Sequence, residues 1–74
     1  MEKFILDKIE EITFTEVSQT DSLWEGKVLD SISIVELVVE LEKEYNIKVP
    51  FNEIVTENFE TVERIVTYLK SKIG

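Results

Sequence analysis

Between Leu29 and Tyr45 the chain carries apolar residues at helical spacing on two sides at once, and this most limits what it can become. Ile34, Leu37, Val38, Leu41 and Tyr45 recur at i, i+3, i+4, i+7 and i+11, which predicts an amphipathic helix running from Asp30 or Ser31 to Tyr45. Placed at helical angles, these five share an arc of about 100°, the width of a core stripe. Asp30 or Ser31 supplies the capping oxygen for the first turn. Asn46 tolerates the left-handed conformation that stops a helix. Ser33, Glu36, Glu40, Lys43 and Glu44 fill a solvated arc. Ile32, Val35 and Val39 belong to neither group and form a second apolar ridge, centred roughly 140° from the first. A chain of 74 residues has too little material to bury both sides easily. Either the neighbouring connections fold over the ridge, or it stays exposed between Glu36, Glu40 and Glu42 as a binding strip.

The flanking sequence predicts further helices. Met1 to Thr13 is the first, with Ile5, Ile9 and Ile12 on one face and Phe4 beside it. Residues 13–29 break the period with Thr15, Ser18, Thr20, Asp21, Ser22 and Gly26 and form a long connection. A connection of that length must pack or function, and Val17, Leu23, Trp24 and Val28 are its expected anchors. Pro50 pushes Val49 away from helix, and Phe51 to Thr56 is read as one short helical piece with Phe51, Ile54 and Val55 turned inward. The last helix starts at a Thr61 cap. Val62, Ile65, Val66, Leu69 and Ile73 form its stripe, and Lys70 and Lys72 suit its negative end. The expectation is an all-α fold, a small four-helix bundle of three main helices plus a short third one, with a long loop between helices one and two. It forms a single domain spanning residues 1–74. A strand at Phe14 to Val17 or at Ile47 to Val49 is the alternative that the Val and Ile content leaves open.

Composition narrows the function. The chain has no cysteine and no histidine, so thiolate metal sites, disulfides and the commonest general base are absent. Its net charge of −8 makes nucleic acid an unsuitable partner, since affinity for phosphates comes from Lys and Arg. Basic protein surfaces are the natural complement. No apolar run suits a signal peptide or a membrane span. A soluble, cytoplasmic, partner-seeking module is expected, and not an enzyme. Glu36/Glu40 and Glu40/Glu44 are acid pairs at i, i+4, but one helix face offers a hard cation too few converging oxygens. No metal site is expected. Trp24, Tyr45 and Tyr68 are read as packing residues with polar tips.

Ser31 carries the functional reading. Asp30 and Ser31 cannot both be the cap. If Asp30 caps, Ser31 is the first helical residue and its hydroxyl is free at the surface, where the helix start favours an anion such as a phosphate ester.

At these residues the chain resembles a family. Leu29-Asp30-Ser31-Ile32, followed by Ile34-Val35-Glu36-Leu37-Val38-Val39-Glu40-Leu41-Glu42, is similar to the Asp-Ser-Leu motif and second helix of acyl carrier proteins. Leu23-Trp24-Glu25-Gly26 resembles the Leu-Phe-Glu segment ahead of that motif, and Ile47-Lys48-Val49-Pro50 the apolar-x-apolar-Pro behind the helix. Asn58-Phe59-Glu60-Thr61-Val62 resembles the entry to the last helix, especially in D-alanyl and related stand-alone carriers. The likeness covers nearly the whole chain. It implies that Ser31 takes a covalent 4′-phosphopantetheine arm, drawn from coenzyme A by a holo-carrier synthase (a phosphopantetheinyl transferase), with Asp30 as the acid before it. The arm's thiol holds an acyl or aminoacyl group as a thioester and carries it between enzymes. Ile32, Val35 and Val39, with Glu36, Glu40 and Glu42, stand where the family meets its partners, here a loading ligase and downstream transferases with basic docking surfaces. Gly26 lies five residues before the serine, farther than the usual two to four. Ser33 and Lys43 stand where fatty-acid carriers often have acids. The likeness therefore points to a dedicated carrier for an amino acid or specialised metabolite. The alternative from a different class is an unmodified helical interaction module that uses the Ile32/Val35/Val39 strip.

Overall fold

The computed structural model describes residues 1–26 and 28–73. Among them lie four α-helices and no strand: α1 (Glu2–Thr13), α2 (Ser31–Tyr45), α3 (Thr56–Phe59) and α4 (Val62–Ile73), with a 3₁₀ turn at Phe51–Glu53. Both segments read as alternative strands are therefore coil. Helix α1 packs on α2 and on α4, and α3 packs on α4. Ile5 and Ile9 from α1, Leu37 and Leu41 from α2, and Val62, Ile65 and Leu69 from α4 have no exposed surface and meet in one core. These are the stripes that helical periodicity marks out.

The helix ends follow local chemistry. Asn46 at the end of α2 is left-handed (φ 52°) and its N–H donates to the Glu42 carbonyl. Phe14 closes α1 in the same conformation at φ 57°, with N–H to the Glu10 carbonyl at 2.8 Å. A phenylalanine is an unusual occupant of that region. Thr61 Oγ1 accepts from the Arg64 N–H at 3.1 Å, capping α4.

The long connection is held to the body by its backbone. Leu23 is fully buried; its N–H donates to the Glu60 carbonyl at 2.7 Å, and its own carbonyl accepts from Val28 and Leu29 at 3.0 and 3.1 Å. The Glu63 N–H donates to the Gln19 carbonyl at 3.2 Å. These bonds tie the connection to the α3–α4 junction. Val17, Trp24 and Val28 pack beside the core as expected, and Leu29 joins it. Trp24 does not keep a polar tip in contact: its indole N–H is buried with no partner among the described residues.

The segment after Pro50 departs from expectation. Phe51 is 86% exposed and Val55 is also exposed; of the three residues predicted to face inward only Ile54 is half-buried. The single helical piece is in fact two. Val55 is extended (φ −125°, ψ 160°), so the helical phase restarts at Thr56, and this restart sends Phe59 into the core in place of Phe51. A polar clamp fixes the 3₁₀ turn. The Glu53 carboxylate accepts from the Tyr68 hydroxyl at 2.5 Å and meets Lys72 Nζ at 2.8 Å, and the Glu53 carbonyl accepts from Asn58 Nδ2 at 2.9 Å. Lys72 stands in the last turn of α4, as expected, and from there also reaches across to the turn.

Candidate functional site

The site is built at the start of α2. Asp30 is extended, and its Oδ1 accepts from the Ile32 N–H at 3.0 Å and the Ser33 N–H at 2.8 Å. The Ser33 amide above all, and the Ile32 amide after it, hold the Asp30 carboxyl below its ordinary value. With the cap taken by Asp30, Ser31 is the first helical residue, exposed, with a hydroxyl that makes no hydrogen bond among the described residues. One expectation needs correction. Two of the amides that were to welcome an anion at this helix start, those of Ile32 and Ser33, are taken by Asp30 itself. What the helix offers at Ser31 is an accessible nucleophilic oxygen, with little left of an amide cradle.

The second apolar ridge is exposed. Ile32, Val35 and Val39 keep 69%, 48% and 41% of their surface in water. The long connection does not cover them, because its bonds run to the α3–α4 junction. Glu36 is exposed beside them. The remaining two acids assigned to the rim are engaged within the chain. Glu40 bridges Lys8 of α1 at 3.4 Å and Lys43 at 3.8 Å. Glu42 is half-buried, with Oε2 accepting from the Val49 N–H at 2.8 Å; it anchors the connector after α2 and does not stand free at the rim.

Residues of α1 complete this surface, which the reading of α2 alone missed. Val35 and Val39 share a groove of about 490 Å³ with Ile12, Lys8, Glu11, Glu36 and Glu40. Lys8 Nζ stands 3.3 Å from Glu11 as well as 3.4 Å from Glu40, and its hydrogen bond to Glu11 is the first cause that pushes its ammonium up from the ordinary lysine value. The sequence signal was Ile12, next to Glu11 and one turn after Lys8 on α1.

Among the described residues the bundle buries no polar or charged residue in its core, and Ser31 stands exposed beside the exposed Ile32/Val35/Val39 ridge. Comparisons with known proteins define the family. A family profile described as the phosphopantetheine attachment site matches residues 15–69. The D-alanyl carrier protein of Streptococcus suis (strain 05ZYH33) is 42% identical over 65 residues, spanning 85% of this chain and 82% of that protein. That of Streptococcus uberis (strain ATCC BAA-854 / 0140J) is 39% identical over 72 residues, 95% and 91% of the two chains. That of Streptococcus pyogenes serotype M5 (strain Manfredo) is 37% identical over 68 residues, 89% and 86%. The chain belongs to the phosphopantetheine-binding carrier proteins. It takes a covalently attached 4′-phosphopantetheine group and is a carrier, not a catalyst. Membership implies a phosphopantetheinyl transferase and loading enzymes as partners, and sets aside the unmodified interaction module. No helix among the described residues is long and apolar enough to cross a membrane.

Proposed function

We propose that Ser31 is the attachment residue, that the cargo is an aminoacyl group held as a thioester, and that Ile32, Val35, Glu36 and Val39 form the face on which partner enzymes dock. One observation carries the assignment of Ser31: Asp30 takes the cap and leaves the serine oxygen exposed and unpaired among the described residues. The arm supplies the thiol that a chain without cysteine lacks. The protein's own residues do the rest. Asp30 fixes the first turn of α2, so the serine oxygen is presented at one defined place. The apolar ridge beginning at Ile32 lets an enzyme seat itself next to the tethered cargo. Tethering raises the cargo's effective concentration in each docked active site. Glu40 borders the face while bridged to Lys8 and Lys43, and Glu42 shapes the face by holding the 46–49 connector. The aminoacyl cargo is supported by relatives named as D-alanyl carriers, and by Ser33 and Lys43, which make α2 less uniformly acidic.

Intact-mass analysis after incubation with coenzyme A and a broad-specificity phosphopantetheinyl transferase tests the site. The wild type gains one phosphopantetheine and Ser31→Ala gains none; a gain by the mutant moves the attachment elsewhere. Loading the holo form with labelled D-alanine, ATP and a D-alanine-activating ligase tests the cargo. Label that neutral hydroxylamine releases supports the aminoacyl thioester. Loading by a fatty acyl donor and not by D-alanine overturns it.

A further inference from the structure

Ser31, Val35 and Val39 stand at i, i+4 and i+8 of α2, so a group leaving the serine oxygen sets out along one line of side chains. That line is one wall of the groove between α1 and α2, about 490 Å³, where Ile12 adds apolar surface and Glu36 and Glu40 add charge. Glu40 already faces Lys8 at 3.4 Å and Lys43 at 3.8 Å. Glu36 is exposed and has no ion-pair partner among the described residues. Reach decides what can occupy this groove. Glu36 and Glu40 lie five and nine residues beyond Ser31, about 7.5 and 13.5 Å along the helix axis. A phosphopantetheine arm has about thirteen bonds from phosphorus to sulfur and spans roughly 15 Å when extended, at about 3.5 Å for every three bonds. An aminoacyl thioester carries its α-ammonium a few atoms farther on. The arm therefore passes Val35 and Val39 and brings one cation to the level of the two acids.

We propose that the loaded arm lies back along this groove, its methyl and methylene groups on Ile12, Val35 and Val39 and the α-ammonium of the cargo at Glu36 and Glu40. The proposal rests on Ser31 as the attachment residue and on an aminoacyl cargo, and adds a seat for that cargo on the chain that carries it. Glu36 is the main acid of the seat, because Glu40 is shared with two lysines. A neutral acyl load of the same shape has nothing to offer either carboxylate. The seat is weak, since an exposed ion pair gains little in water. The tether compensates by keeping the cargo at high effective concentration beside it. A seated ammonium has no free electron pair with which to attack a thioester, so the seat preserves the load between enzymes.

The test bypasses the loading ligase. Coenzyme A analogues in which an amide replaces the thioester carry D-alanyl or D-lactyl, which differ only in an ammonium against a hydroxyl. A phosphopantetheinyl transferase attaches each to the ¹⁵N-labelled chain, and peptide mass mapping locates the arm. Relative to the lactyl form, the alanyl form should shift the amides of Val35, Glu36, Val39 and Glu40, and that of Ile12 across the groove. Glu36→Gln should cut this difference at least twofold at low salt, and molar salt should erase most of it. Glu63→Gln removes one charge from an exposed acid of α4 and should leave the difference as it is in the wild type. The alanyl amine, followed in a ¹³C-labelled analogue, should titrate roughly half a pH unit higher on the wild type than on Glu36→Gln, one charge at contact distance in water setting a ceiling of about 0.8. Identical alanyl and lactyl spectra, or a difference that Glu36→Gln and salt leave untouched, overturn the seat. An arm found on another residue overturns Ser31 and the seat together. A ligase that loads a neutral acyl group and refuses D-alanine overturns the aminoacyl cargo while these spectra stand, so the readings fail separately.

Discussion

Asp30 does two jobs with one carboxylate. Its Oδ1 satisfies the Ile32 and Ser33 amides, and by doing so frees the neighbouring Ser31 from capping duty. The residue types at the two positions are therefore not interchangeable, although both are good caps. Asparagine caps as well as aspartate does, whereas alanine cannot. Asp30→Ala should lower the melting temperature and slow loading of Ser31, and Asp30→Asn should do little of either at neutral pH. The pH dependence separates the two roles further. The Asp30 carboxyl sits below its ordinary value of 3.8 because the folded state donates to its charged form. The stability it contributes is therefore present above that value and lost as pH falls through the lower, folded one. Thermal melts of the wild type between neutral and acid pH should show this loss superimposed on those of other acids, and Asp30→Asn should lack its share. Identical acid profiles for the two proteins would show that the cap does not draw on the charge.

At the scale of elements, the three long helices were legible because their stripes repeat over several turns. Ile5, Ile9, Leu37, Leu41, Val62, Ile65 and Leu69 can be picked out by spacing alone, whereas Ile73, expected at the end of the α4 stripe, is exposed and Tyr68, outside that stripe, is buried. The segment from Phe51 to Phe59 was not legible, because two short turns with an extended Val55 between them reset the helical phase. No period survives that break: Phe51, expected inside, is exposed, and Phe59, to which spacing gave no place, is buried. The site was legible in part. Ser31 and the ridge lie on one helix and follow from its period. The Lys8–Glu40 bridge, the Glu42–Val49 bond and the Glu53 clamp join distant positions, and only packing reveals such pairs. The clamp itself is testable. Lys72 first and Tyr68 second hold the Glu53 carboxyl below its ordinary 4.5, while burial and Glu53 push the Tyr68 hydroxyl above its ordinary 10.0. The clamp thus stabilises between those two values, weakening as pH falls through the folded Glu53 value or rises past 10.0 toward the folded Tyr68 value. Tyr68→Phe should lose ~1 kcal/mol by urea unfolding near neutral pH. The same substitution in a Glu53→Gln background should lose clearly less, as contacting partners do. Additive losses would mean that the hydroxyl and the carboxylate do not act as a pair.

The molecule as a whole carries a net charge of −8, and the arrangement of its cations decides where that field is felt. Lys3, Lys8, Lys43 and Lys72 each bridge a carboxylate of the same chain. They serve internal joints and leave the outer potential negative. Such a field steers basic surfaces toward the protein and quickens encounter without tightening the final contact. The question is whether the partner senses the overall charge or the acids beside the ridge. Glu36→Lys and Glu63→Lys change the net charge equally, and both acids are exposed, but only Glu36 lies beside Val35 and Val39. With a phosphopantetheinyl transferase as the probe, kcat/KM for loading should fall about tenfold for Glu36→Lys at low salt, where an attraction becomes a repulsion at contact distance. Glu63→Lys should lose far less. The gap should narrow as salt rises and the Debye length shrinks to about 3 Å at 1 M, and all three proteins should reach the same final mass. Equal slowing by the two variants would assign recognition to the total charge and remove Glu36 from the docking face.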